Sequence, residues 1–143
     1  MKNGERWLAD YFGEQMSAFW KRSGLCADIV VFVPMTEAGE RKRGYNQAKD
    51  LAEKISEQTG IPVKGGLVKI RENLPQKRLT KTERIKNVSG AYRAEGEFSG
   101  RKVLLVDDVM TTGATGSECA KVLKRAGAVE VFFLTAASLP ERA

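Results

Sequence analysis

"VLLVDDVMTTGAT", residues 103–115, runs apolar residues into two adjacent aspartates and then into a small, hydroxyl-rich turn. The unbroken apolar run Val103–Val106 predicts a strand covered on both faces, because a strand with one wet face would alternate. Asp107 and Asp108 then emerge at the rim of the sheet, and "MTTGAT" curls into the start of a helix. A turn of small residues there lets successive backbone N–H groups converge on a phosphate, aided by the helix dipole and the hydroxyls of Thr111, Thr112 and Thr115. A carboxylate only accepts hydrogen bonds, so two at one rim suit the two donor hydroxyls of a ribose diol. The stretch reads as a sugar clamp beside a phosphate cradle. The alternative is that Thr111 or Thr112 caps a helix and the aspartates favour its positive end. The whole run of strand, acidic pair and T-T-G-A-T weighs against it. No Gly-Lys-Ser/Thr follows, so this is not the phosphate loop of an NTPase.

Outward from this stretch, helix and strand patterns alternate. "RKVLLVDDV" (101–109), "DIVVFVP" (28–34) and "VEVFFLTAAS" (129–138) predict core strands, and "PVKGGLVKIR" (62–71) a weaker one. Residues 5–22 place Leu8, Tyr11, Phe12, Met16, Phe19 and Trp20 at helical spacing. That helix packs on the core or forms a dimer face; its polar side is not enriched in Lys or Arg, which disfavours a membrane surface. Ala48, Leu51, Ala52 and Ile55 mark a second helix over 46–60, stopped at Gly60. "LTKTERIKN" (79–87) predicts a short basic helix capped by Thr80 or Thr82, and residues 113–127 a helix ending at Gly127. Strands separated by helices imply right-handed βαβ units. The expected class is α/β, a doubly wound, mostly parallel sheet with flanking helices. At 143 residues the chain suits one domain, 1–143.

Composition narrows the chemistry. With 42% hydrophobic and 29% charged residues the chain should fold as a soluble protein. No apolar run approaches the roughly 20 residues that span a bilayer, and the amino terminus lacks the apolar centre of a signal peptide, so a cytoplasmic protein without membrane insertion is expected. Only Cys26 and Cys119 are present, and no histidine. Neither a Cys/His metal site nor a histidine-dependent triad can be built from these residues. The net charge of +6 points to an anionic partner.

At this point a resemblance becomes specific. "VLLVDDVMTTGAT" resembles the phosphoribosyl pyrophosphate signature of type I phosphoribosyltransferases. "VPMTEAGERKRGYNQAKDLA" (33–52) and "RENLPQKRLTKTERIKNVSGAY" (71–92) are similar to two other recurrent segments of the ComF competence-protein branch, which carries RGxNQ and a basic Q-L-x-x-x-x-R-x-x-N-V loop. The resemblance covers nearly the whole chain. It implies a phosphoribosyltransferase-type domain that binds phosphoribosyl pyrophosphate with Mg²⁺, as in nucleotide metabolism. Asp107 and Asp108 would then meet the ribose, and Met110, Thr111, Thr112, Gly113, Ala114 and Thr115 the 5-phosphate. The family's pyrophosphate loop would be Pro34–Gly39, whose composition departs from a Gly-rich amide cradle. Members of the branch usually begin with a cysteine-rich zinc-binding segment; none is present here, as expected of a short form or of a chain trimmed at its amino terminus.

Two basic constellations add to this. Arg41, Lys42 and Arg43 follow the first core strand, where they either meet a pyrophosphate or form a solvated turn. Arg43 is the preferred contact. Residues 71–93 hold Arg71, Lys77, Arg78, Lys81, Arg84, Lys86 and Arg93, which form either a solvated face or a mobile lid. Loss of pyrophosphate from C1 of the sugar builds negative charge on the leaving group, so cations over it would favour the transition state, and a lid would exclude water. Arg71 is the best single candidate there, with Lys77 and Arg84 in support.

Three functions compete: transfer of the phosphoribosyl group to a nitrogen acceptor, a competence-related DNA-uptake role on single-stranded DNA or with competence proteins, and a phosphoribosyl pyrophosphate sensor without turnover. The aromatics lie mostly in core-like patterns, so base-stacking platforms are not evident. The acceptor is held by a variable hood in such folds, and little sequence follows Ala137 to form one.

Overall fold

In the computed structural model, residues 3–72, 79–110 and 113–138 are described. The elements run α1 (Asn3–Ser23), β1 (Ile29–Phe32), α2 (Glu37–Arg43), α3 (Gln47–Thr59), β2 (Leu67–Lys69), α4 (Lys81–Val88), β3 (Tyr92–Ala94), β4 (Lys102–Met110), α5 (Ala114–Arg125) and β5 (Glu130–Ser138).

The β-branched and apolar runs form a parallel sheet in the order β1-β4-β5. Its register pairs Val31 with Leu105, Val106 with Leu134 and Asp107 with Thr135. Side chains alternate across β4, and each face meets its own cluster. Val103 and Leu105 pack with Cys119 and Leu123 of α5, Val88 of α4, Tyr92 and Phe98. Leu104 and Val106 pack with Met16 and Trp20 of α1 and with Leu51, Ala52 and Ile55 of α3. Trp20 meets Phe132 of β5 edge to face at 5.5 Å. Helices thus cover both faces, which is the doubly wound α/β arrangement expected.

Some expectations need correction. The weak strand over 62–71 splits: Val63 bridges Val30 in parallel at the sheet edge, and β2 leaves to pair antiparallel with β3. The break falls at Gly65–Gly66, where Gly66 lies so close under the buried Phe98 that a Cβ would sit 2.2 Å from its Cζ. β3, three residues long, and α2, which begins within the expected Pro34–Gly39 loop and runs on to Arg43, were not anticipated; both are too short for periodicity to register. Thr80 rather than Thr82 caps α4, in a capping box with Glu83.

The stripe on α1 is also narrower than its composition suggests. Met16 and Trp20 are buried, but Trp7, Tyr11 and Phe19 are 61, 51 and 56% exposed. Among the described residues no helix is long and apolar enough to cross a membrane.

Candidate functional site

Beyond the carboxyl ends of β1 and β4, where ligands bind in open α/β sheets, lies a cavity of about 200 Å³. It is lined by Val33, Pro34, Met35, Arg43, Asn46, Gln47, Ala48, Lys69, Tyr92, Asp107, Asp108 and Thr115. Each wall can be traced to local chemistry.

Both aspartates sit within β4 rather than after it. Asp107 Oδ1 accepts the amide N–H of Asp108, and Asp108 Oδ1 that of Val109, each at 2.9 Å. Burial pushes the Asp107 carboxyl up to about 8, with the adjacent Asp108 adding to the rise and Lys69 opposing it. α5 starts with Gly113 at its N-cap, in the left-handed region at φ 79° and without a capping side chain. The first helical bond runs from Ser117 N–H to the Gly113 carbonyl at 2.8 Å. The amides ahead of it face out of the helix end. Gly113, Ala114, Thr115 and Gly116 border a depression of about 20 Å³ that also touches Asp107. The cap position is a glycine, and among the described residues each aspartate accepts the amide that follows it.

The segment after β1 explains the R-G-Y-N-Q pattern in physical terms. Thr36 caps α2 by accepting the Gly39 N–H at 3.0 Å, and its hydroxyl donates to Glu72. Gly44 ends the helix at φ 87°, a conformation glycine adopts without strain. Asn46 caps α3 by accepting from Ala48 N–H at 2.9 Å, while its amide donates to the Val33 carbonyl. That bond ties the start of α3 to the end of β1. Arg43 donates to Gln47 at 3.2 Å and stacks over Tyr45 at 5.5 Å. Of the three basic residues in the last turn of α2, Arg43 lines the cavity, and Arg41 and Lys42 do not.

The far wall comes from the antiparallel pair. Lys69 and Tyr92 are register partners across β2 and β3. Burial, then Cys119 and Asp107, raises the Tyr92 phenol well above its ordinary value, and Thr115, which lines the same cavity, opposes the rise. Cys119 behind it is likewise pushed up, by burial first and then by Asp107. It is a packing thiol, not a nucleophile.

The cavity brings together Asp107, Asp108, Arg43 and Thr115 from the sequence reading. Arg71 and Arg84 do not line it. Arg71 donates to the Ser89 carbonyl at 2.6 Å, tying the segment after β2 to the end of α4, and Arg84 lies on α4. Lys77, Thr111, Thr112 and the Met110 side chain lie outside the described residues. Sequence reasoning missed Lys69 and Tyr92; no local signal marks them, since only the β2–β3 pairing faces them toward β4.

The sequence profile described as the phosphoribosyl transferase domain matches residues 33–143. Competence protein F of Haemophilus influenzae is 34% identical over 108 residues, covering 73% of this chain and 47% of that protein. DNA utilization protein YhgH of Escherichia coli K12 is 34% identical over 105 residues, covering 73% and 46%. The chain thus spans about half the length of the curated relatives it matches. Among solved structures, the glutamine phosphoribosylpyrophosphate amidotransferase from B. subtilis is 26% identical with a TM-score of 0.62, over 90% of this chain and 26% of that one. The purine phosphoribosyltransferase from Pyrococcus horikoshii shares the fold, at 16% identity and a TM-score of 0.57, over 95% of this chain and 84% of that one.

Proposed function

This chain belongs to the phosphoribosyl transferase domain family, and on that premise we propose that the cavity binds phosphoribosyl pyrophosphate and that the protein transfers its phosphoribosyl group to a nitrogen acceptor. The observation that carries the reading is the convergence in one cavity of the acidic pair, the start of α5 and two cations from separate elements. Asp107 and Asp108 accept the sugar hydroxyls. The amides at the start of α5, with Thr115, take the 5-phosphate. Arg43 and Lys69 face the pyrophosphate. In the transfer the acceptor nitrogen's lone pair forms the bond to C1, the C1–O bond breaks with its electrons on pyrophosphate, and the nitrogen's proton passes to water.

A Mg²⁺ ion fits this site in a limited sense. Among the described residues no three acidic, cysteine or histidine side chains gather as a cage. Magnesium commonly takes one or two carboxylates and completes its shell with substrate oxygens and water, and burial, then the adjacent Asp108, disfavours the Asp107 anion, which a bound cation would stabilise. Asp107 and Asp108 would hold it together with the ligand. It would supply charge neutralisation on the departing pyrophosphate.

Calorimetric titration with phosphoribosyl pyrophosphate and Mg²⁺, followed by a pyrophosphate-release screen over nitrogen acceptors, is expected to give saturable binding and then acceptor-dependent release. Binding without release in any mixture would leave a sensor; no binding would remove the reading. A second reading, a role on single-stranded DNA, is favoured by similarity to a competence protein and a DNA utilization protein and by exposed Trp7, Tyr11 and Phe19 on α1. Salt-dependent strand binding in place of sugar-phosphate binding would favour it.

The ionisation of Asp107 gives a pH signature. Its carboxyl, raised to about 8, is mostly protonated at neutrality, and a protonated carboxyl donates where the sugar needs an acceptor. Affinity for phosphoribosyl pyrophosphate should therefore rise with pH, by up to about tenfold per unit below 8, and level off above it. Proton release on binding, measured in buffers of different ionisation enthalpy, checks it. A flat profile from pH 6.5 to 8.5 would remove Asp107 from the ligand.

A further inference from the structure

The walls of the polar cavity belong to two different sheets. Asp107 and Asp108 stand on β4 of the main sheet, whereas Lys69 and Tyr92 stand on the separate β2–β3 pair. Among the described residues the two sheets share no ladder, so bonds outside the ladders set the width of the cavity. β2 is anchored on its way in, where the Lys64 N–H donates to the Val30 carbonyl at 2.9 Å. On its way out, three residues past Lys69, the Glu72 carboxylate accepts the Thr36 hydroxyl. Thr36 is buried and caps α2, whose other end carries Arg43. The contact is closely fitted: a Cβ on Gly39 would lie 2.9 Å from Thr36 Oγ1 and 3.3 Å from Glu72 Oε1, so the glycine leaves the carboxylate room to reach the cap. Neither Thr36 nor Glu72 lines the cavity; their bond acts through the elements it holds.

We propose that Glu72 is a positioning residue: by holding Thr36 it fixes the span between Arg43 on α2 and Lys69 on β2, and so fits the cavity to a two-phosphate group. The inference rests on the reading that these two cations take the pyrophosphate. α2 has seven residues and is about 10 Å long, so a tilt at its capped end carries Arg43 at the other, and displacing a positioned group by about 1 Å can cost up to a hundredfold. The charge of Glu72 works in the opposite direction. A carboxylate on that side of the cavity repels a pyrophosphate, so its removal would tighten binding if charge alone mattered. The sign of the effect therefore separates the two roles.

Calorimetric titration of the full chain with phosphoribosyl pyrophosphate and Mg²⁺, with inorganic pyrophosphate and Mg²⁺, and with ribose 5-phosphate tests it in Glu72→Gln, Glu72→Asp and Glu72→Ala. Glutamine keeps the reach and an acceptor for the Thr36 hydroxyl; aspartate keeps the charge but falls short by one methylene. Glu72→Asp and Glu72→Ala are expected to bind both pyrophosphate ligands about tenfold more weakly, and Glu72→Gln to stay within about threefold of the unaltered chain. All three should bind ribose 5-phosphate as the unaltered chain does. Glu72 is exposed, so the variants should fold, and melting curves check this; the comparison of Glu72→Asp with Glu72→Gln stands even where Glu72→Ala does not fold. Unchanged or tighter pyrophosphate binding in Glu72→Asp, an equal loss in Glu72→Gln, or an equal loss for ribose 5-phosphate would overturn the positioning role and leave the proposed function standing. Failure of the unaltered chain to bind phosphoribosyl pyrophosphate removes both.

Discussion

Replacing Asp107 and Asp108 together by asparagine is expected to weaken phosphoribosyl pyrophosphate binding by about tenfold to several-hundredfold and to leave the free protein as stable as before or more so. The affinity loss follows from removing two charge-assisted hydrogen bonds, worth roughly 1.5–3 kcal/mol each, where even partial loss is decisive because about 1.4 kcal/mol is a factor of ten. The stability effect has the opposite sign. Asparagine keeps the Oδ1 acceptor that takes the Asp108 and Val109 amides at 2.9 Å, so the local backbone bonds survive. The Asp107 carboxyl stands at about 8 in the folded chain, above its ordinary value, because of burial and then of Asp108. Its contribution to stability is therefore fully present below the ordinary carboxylate range and is lost as pH rises through about 8. Asparagine, which does not ionise, escapes that loss. The melting advantage of the double variant should accordingly widen from pH 5 to pH 9, while the upward shift in Tm on adding ligand shrinks. A free variant that melts lower, with an intact ligand shift, would make the pair a structural feature and remove the sugar clamp.

Gly116→Val is expected to lower the melting temperature by several degrees and to weaken binding of the 5-phosphate at the same time. Gly116 is buried in the first turn of α5, where the helix crosses β5 so closely that a Cβ would lie 2.4 Å from Phe133 Cε2 and 2.5 Å from its Cδ2. Helix propensity alone would favour almost any side chain over glycine, by up to about 1 kcal/mol for alanine. The close approach reverses the sign, since forcing extra carbons into a filled contact typically costs about 1–3 kcal/mol. The strain falls on the helix end that would face the phosphate, so the affinity for ribose 5-phosphate should drop along with Tm. Thermal melts and calorimetry of Gly116→Val, and of the same substitution with Phe133→Ala, separate the causes. The second change should return part of both losses, because the two sites are in contact and their effects do not add. An unaltered melting curve for Gly116→Val would mean that the Phe133 ring swings aside at no cost.

The central strand, the acidic pair and the helix after it were legible in the sequence because their signals are local. An apolar run with no alternation requires cover on both faces, and Leu104 and Leu105, which face opposite sides, are both fully buried. The periodic helices were legible for the same reason: Ala48, Leu51, Ala52 and Ile55 recur at helical spacing, and all four are buried. Arg43 could be preferred over the loop backbone because that loop lacks a Gly-rich amide cradle; that Arg43 lines the cavity and Arg41 and Lys42 do not is set by the pitch of α2, a helix too short to foresee.

What the tertiary structure alone decided involves partners distant in sequence. Lys69 and Tyr92 reach the site because two three-residue strands pair antiparallel beside a glycine pressed against Phe98, and such short segments carry no period of their own. The division of α1 into buried Met16 and Trp20 and exposed Trp7, Tyr11 and Phe19 depends on how much of the helix α3 and β5 can cover, which spacing does not specify. The charge state of Asp107 is the clearest case. Two adjacent aspartates at a strand end can be read from the chain, and Asp108 does add to the rise, but the largest cause is burial, with Lys69 opposing it; how deeply a carboxyl is buried is set by the packing of elements distant in sequence.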